Sequence, residues 1–228
     1  MKFSISMTWR ENLFGWIFWA LSMFLLPSFL TLGNSLLPTP LSETQLNIAY
    51  FLLEFLCVVL IFRRFLLASI KVLFQKVWQC LRYAALGFVL YYAGMLLISS
   101  LISRVQPEFF NVNDAAIGEM SQEHFTLMAF CTVFLVPVTE EVLYRGLFFQ
   151  GLQQKNRVLA YLVSTLVFSF IHVMAYIGLY DFKTLLLCFI QYLPAGIALN
   201  FAYEKADTIA APILMHITIN QIGMSAMR

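Results

Sequence analysis

Charge is the scarcest property of this sequence: Asp, Glu, Lys and Arg make up 11% of its 228 residues, against 61% hydrophobic residues. Soluble domains average about 25% charged residues. A water-soluble globular chain is therefore excluded, and a polytopic membrane protein is indicated. A mean hydropathy of +0.81 agrees. A net charge of only +2, with no basic tail, gives no footing for a nucleic-acid partner. Cys57, Cys80, Cys131 and Cys188 form no CxxC pair and lie mostly in apolar segments. They read as small buried hydrophobes rather than as a disulfide or thiolate site. Internal repeats, low-complexity tracts and a soluble domain are missing too, so residues 1–228 read as a single membrane domain.

What is present in quantity is long apolar runs. A span needs about 20 apolar residues. The segments Leu13–Leu32, Leu46–Phe62, Tyr83–Ile102, Phe125–Leu152, Val158–Tyr176, Phe182–Phe201 and Ile209–Met224 qualify, the last being short. The fourth exceeds what a span needs and must tilt, kink or protrude, with Pro137 as the expected kink. The N-terminus resembles a signal peptide, but its apolar part is long and no small-residue cleavage site follows, so it reads as an uncleaved span. Between the second and third spans, Leu66, Ile70, Leu73, Phe74, Val77, Trp78 and Leu81 recur at helical spacing, opposite Lys71, Gln75, Gln79 and Arg82. This predicts an amphipathic interfacial helix over 64–82 that anchors two spans or grips anionic lipid. The expected fold is all-α, a transmembrane bundle of about 7–8 helices. Residues 1–102 supply accessory spans, and about 125–224 the core that carries the chemistry.

Basic residues are distributed unevenly. Lys2 and Arg10 precede the first span, Arg63, Arg64, Lys71, Lys76 and Arg82 follow the second, and Lys155 and Arg157 follow the fourth. The alternate connections are poor in base: 33–45 carries only Glu43, and 103–124 sets Arg104 against Glu108, Asp114, Glu119 and Glu123. The positive-inside rule then predicts a multi-pass protein of the cell membrane with a cytoplasmic N-terminus.

Against this background, ionisable groups inside spans stand out, because such groups are costly and usually face a bundle interior or a wet cavity. Thr139-Glu140-Glu141-Val142-Leu143-Tyr144-Arg145 interrupts the fourth apolar run. Glu141 and Arg145, four apart, can pair along a helix. Glu140 points about 100° away and has no local cation. His172 lies in the fifth span, and His216 and Asn220 share one face of the seventh. At 1.5 Å per residue, Glu140 is roughly 22 Å into its segment, His172 roughly 20 Å and His216 roughly 10 Å. Tilt allows the three to meet. His124, in the acidic connection, reads as a solvated loop residue.

A glutamate, two imidazoles and an amide suit the activation of water on a carbonyl: Glu140 takes the proton, and His172, His216 and Asn220 bind water or steady the oxyanion. His172, His216 and Glu140 also have the composition of a catalytic zinc set. The residues leave both open. There is no HExxH and no GxSxG. Tyr180-Asp181 has the form of the first motif of intramembrane aspartyl proteases, but no second aspartate motif accompanies it. A proton-coupled transporter would also bury Glu and His, but no paired broken-helix halves are visible.

At these residues the chain resembles the CPBP family of CAAX proteases and bacteriocin-processing enzymes, also called Abi. The motifs are EExxxR at Glu140–Arg145, FxxxH from Phe168 to His172, and HxxxN from His216 to Asn220, intact and in order. The resemblance covers roughly Phe125–Met224. It implies an intramembrane endopeptidase, open toward the cytosolic side, that acts on a membrane-associated peptide or a lipidated protein. Glu140 is then the water-activating residue, His172, His216 and Asn220 complete the site, and Glu141, Arg145 and Phe168 support it. Members are described both as zinc metalloendopeptidases and as metal-independent glutamate proteases, so the cofactor is zinc or none, and the metal-independent form is favoured here. Other members act as bacteriocin-immunity or regulatory scaffold proteins without catalysis, which is the alternative function, with a membrane-protein partner.

Overall fold

In a computed structural model the described residues are 3–228; Lys2, counted above among the cytoplasmic bases, lies outside them. Nine helices and no strand occur among the described residues. They are α1 (Trp9–Phe24), α2 (Leu26–Ser35), α3 (Glu43–Ile61), α4 (Arg63–Gln75), α5 (Val77–Val105), α6 (Val112–Gln153), α7 (Arg157–Met174), α8 (Phe182–Ala206) and α9 (Ala210–Ala226). The chain is an all-α polytopic bundle. Five helices (α3, α5, α6, α7 and α8) are long and apolar enough to cross a membrane, and α1 with α2 would make a sixth broken span, bent by 50°. Trp78 at 84% and Leu60 at 71% exposure have nothing apolar to face but lipid.

Helix ends follow local chemistry. Thr8 and Ser42 open α1 and α3 with capping boxes closed by Glu11 and Gln45. Glu11 does double duty, since its second oxygen accepts the Phe65 N–H at 2.8 Å, at the start of α4. Asn156 and Asp181 cap α7 and α8. Asp181, whose aspartate motif the sequence leaves without a second half, serves as a cap: it accepts from Thr184 N–H and Oγ1–H.

Three boundaries differ from the sequence expectation. The first span is two helices, because Pro27 sits in the first turn of α2 and cannot donate back into α1. The interfacial helix expected over 64–82 ends at Gln75. Lys76 leaves helical geometry (φ −127°, ψ 33°), and Val77 to Arg82 open the 29-residue α5 instead. The connection expected over 103–124 is only 106–111; Asn111 caps a further helical stretch, and His124 sits at a kink in α6 (φ −140°, ψ 63°) rather than in a loop. The polarity of 112–123 hides it from a search for apolar runs. Around Pro137 the backbone is π-helical just before (Cys131–Leu135) and again over Glu141–Phe149. The widened turns carry the missing proline N–H without ending the helix.

Helix α8 is central and packs on α5, α7 and α9. Small residues make this possible. A Cβ on Gly196 would stand 2.8 Å from Thr165 Cγ2 and 3.0 Å from its Cα, and one on Gly94 would stand 2.9 Å from Pro194 Cβ. At the end of the bundle bearing the basic connections, the N-terminal run is stitched to the late helices. Phe3 stacks on Tyr203 with centroids 4.5 Å apart, Gln150 Nε2 donates to Ile5 O at 2.6 Å, and Ser4 N–H donates to Asp207 Oδ1 at 2.8 Å. Lys76 Nζ meets the same aspartate at 2.8 Å.

Candidate active site

The π-helical stretch of α6 presents Glu141 and Arg145 to the interior, both fully buried. Arg145 Nη1 donates to Glu141 Oε1 at 3.0 Å, the pairing the spacing predicts. The guanidinium lies 4.3 Å from the centre of the Phe168 ring, and Nη2 reaches Gly196 O at 3.4 Å. Phe168 is thus the surface against which the buried cation packs. The ion pair has a third member that spacing could not reveal: His216 Nδ1 lies 2.7 Å from the same Glu141 oxygen. Glu141 Oε1 accepts from Arg145, and the same oxygen accepting from His216 assigns the ring hydrogen to Nδ1. This fixes the tautomer and leaves His216 Nε2 facing Glu140, 3.9 Å from its Oε2.

Glu140 stands apart from this network. Its Oε2 is buried with no hydrogen-bond partner. At 3.9 Å the imidazole and the carboxylate do not bond directly, but a water on their cavity side can touch both. His172 Nδ1 donates to Phe168 O at 2.8 Å, one turn back, which leaves Nε2 as its free nitrogen. Its ring stacks on Tyr192, with centroids 4.1 Å apart. Asn220 Nδ2 donates one of its hydrogens to Thr132 O at 2.8 Å and keeps the other.

The structure brings together the four residues singled out as catalytic. Glu140, His172, His216 and Asn220 line one cavity of about 340 Å³. From this polar floor the cavity extends to Asn111, Asn113, Asp114 and Gln191, at the end of the bundle away from the basic connections; no lysine or arginine lines it. Tyr192 links floor to rim, because its hydroxyl donates to Asp114 Oδ1 at 2.9 Å and accepts from Asn113 Nδ2 at 3.0 Å. Sequence reasoning missed Tyr192, Gln191 and Glu54. Glu54, in the second predicted span, is an intramembrane carboxylate to which the rule applied to Glu140 extends equally.

The described side chains do not stand in a preassembled zinc site. Among the described residues no group of three His, Cys, Asp or Glu side chains stands where it could share a metal ion. His216 and His172 each donate Nδ1–H, to Glu141 and to a backbone carbonyl, and keep Nε2 free, an arrangement also found in metal-bound histidines, so these contacts do not count against zinc.

Residues 122–222 match the family model described as type II CAAX prenyl endopeptidase Rce1-like. This segment, somewhat under half of the chain, is similar to Rce1-like domains. It contains all of EExxxR, FxxxH and HxxxN, so the resemblance seen in the motifs and the similarity to a CAAX-type endopeptidase family fall on the same residues. No curated protein and no solved structure matches the chain. The matched segment begins just before the kink at His124 and leaves α1 to α5 outside it.

Proposed function

We propose that the protein hydrolyses a peptide bond in a membrane-associated or lipidated peptide, with Glu140 activating the water. The observation that carries this reading is the division of labour between adjacent carboxylates. Glu141 is spent on Arg145 and His216, whereas Glu140 keeps a free oxygen in the cavity beside His216 Nε2. Glu140 takes a proton from water as the oxygen attacks the carbonyl carbon. The oxyanion receives a hydrogen bond from the spare N–H of Asn220, while the Nε2 atoms of His216 and His172, both acceptors, hold the water. Collapse of the tetrahedral intermediate breaks the C–N bond, and Glu140 returns its proton to the leaving amine. The Glu141–His216 contact holds the imidazole in one orientation throughout.

Peptidomic comparison of cells that carry the wild-type chain or Glu140→Gln tests the reading and names the substrate. Peptides that accumulate or vanish only with the wild type are expected. Unchanged peptides with a folded Glu140→Gln protein would remove it, and a phenotype that survives alanine at Glu140, His172 and His216 together would favour a scaffold. For the metal, purified protein is expected to cleave in the presence of chelator and to lack stoichiometric zinc by elemental analysis.

A further inference from the structure

Glu140 lines a second cavity, of about 140 Å³, on its other flank. The two cavities share only Phe51, Val136 and Glu140. The larger draws on α5, α8 and α9 for much of its wall. The smaller has none of these and is bounded by Met23 of α1 and by Tyr50 and Glu54 of α3, against α6 and Ile171. Glu54 is 8% exposed, and its Oε1 has no hydrogen-bond partner. Thr139 Oγ1 and Glu140 Oε2, buried in the same wall, have none either. Unpaired buried carboxylate and hydroxyl oxygens are costly unless water meets them. A chamber of this size has room for water, and the three unpartnered oxygens on its otherwise largely apolar wall are the partners an ordered water needs.

We infer that this chamber supplies the hydrolytic water, and that Glu54 is the positioning residue that orders it against Glu140. The inference rests on Glu140 activating water. A peptide that fills the larger cavity displaces water from it, and the lipid around the bundle holds none to replace what is displaced. Each turnover consumes one water. A chamber on the opposite flank of the base delivers that water without crossing the peptide. Glu54 accepts a hydrogen bond from the waiting water and points its oxygen toward the carbonyl; it forms and breaks no covalent bond. The accessory helices thereby contribute to the chemistry from outside the matched segment.

The test measures cleavage, in phosphatidylcholine–phosphatidylglycerol vesicles, of a peptide whose processing depends on the wild-type chain. Three variants are compared, with thermal unfolding as the check on folding. Glu54→Gln is expected to lower kcat roughly 10- to 100-fold with KM within about twofold. It should also raise the solvent deuterium isotope effect, because ordering and deprotonating water becomes slower. Met23→Trp, which fills the chamber and leaves the Glu54, Thr139 and Glu140 side chains unchanged at the cost of the Tyr144 hydroxyl's contact with Met23 Sδ, is expected to do the same. Wild-type kcat and isotope effect in both variants, with Glu140→Gln inactive, would overturn the water chamber and leave the proposed function standing. An active Glu140→Gln would instead remove the function itself. A Glu54→Gln protein that does not fold leaves the decision to Met23→Trp.

Discussion

At the scale of single residues, one oxygen carries unusual weight. Glu141 Oε1 meets both Arg145 and His216, while its other oxygen meets nothing. Glu141→Gln leaves a buried guanidinium without its counter-charge, so a loss of about 3–5 kcal/mol in unfolding free energy is expected, together with loss of cleavage. Arg145→Lys should fail to restore either, because an ammonium lacks the planar fork that spans Glu141 and Gly196 while lying on Phe168. Thermal unfolding in detergent and peptide cleavage check both. The Glu141–Arg145 half of this network was legible, being a spacing along one helix. The His216 half was not, because the partners are 75 residues apart and only the fold joins them. Outside the membrane, Asp207 offers a pH test. Burial would raise its pKa, but hydrogen bonds from Lys76 and Ser4 outweigh burial and hold it below the usual value. A depressed folded-state pKa gives stability that is present above the unfolded value, about 4, and is lost as pH falls through the folded one. Melting temperature should therefore drop on acidification below that range, and Asp207→Asn should remove this component. Asparagine tolerates the left-handed backbone at this position (φ 55°).

At the scale of helices, apolar runs located the long spans and failed where polarity or geometry intervened. α6 is the clearest case. Its first stretch, over 112–123, is too polar to register as a span and is ordered by the Asn111 cap and by ties from Ser42 and Thr44 of α3 to Glu123 and Met120. The break at Lys76 was invisible because the apolar period of the interfacial helix runs on, nearly in phase, into α5. Glycine contacts were equally silent in the sequence, since their meaning depends on which helix arrives opposite. Gly196→Val is expected to push α8 from α7, because Thr165 Cα leaves no room for the added atoms. About 1–3 kcal/mol of destabilisation is expected, measured by thermal unfolding, with reduced cleavage because Gly196 O also receives Arg145.

At the scale of the whole molecule, two sequence expectations conflict. Basic connections predict that the end bearing Lys76 and Arg157 is cytosolic, while the resemblance implies a site open to the cytosol. The cavity extends toward the opposite end, at Asn111 and Asp114. We give priority to the charge asymmetry and expect the peptide to approach from outside the cytosol. Single cysteines placed by Glu108→Cys and Lys155→Cys, in a background with Cys57→Ala, decide this. A membrane-impermeant maleimide added to intact cells should label the first and spare the second, and the reverse pattern would restore the cytosolic opening. The stitched N-terminal run has a further consequence, in time rather than in space. Phe3 to Met7 leave the ribosome well before Asp207, which holds Ser4 and lies 203 residues later. At 5–20 residues per second that is a wait of roughly 10–40 s. The basic end of the bundle can close only after Asp207 has been made, so this run waits for its partner through most of the synthesis of the bundle.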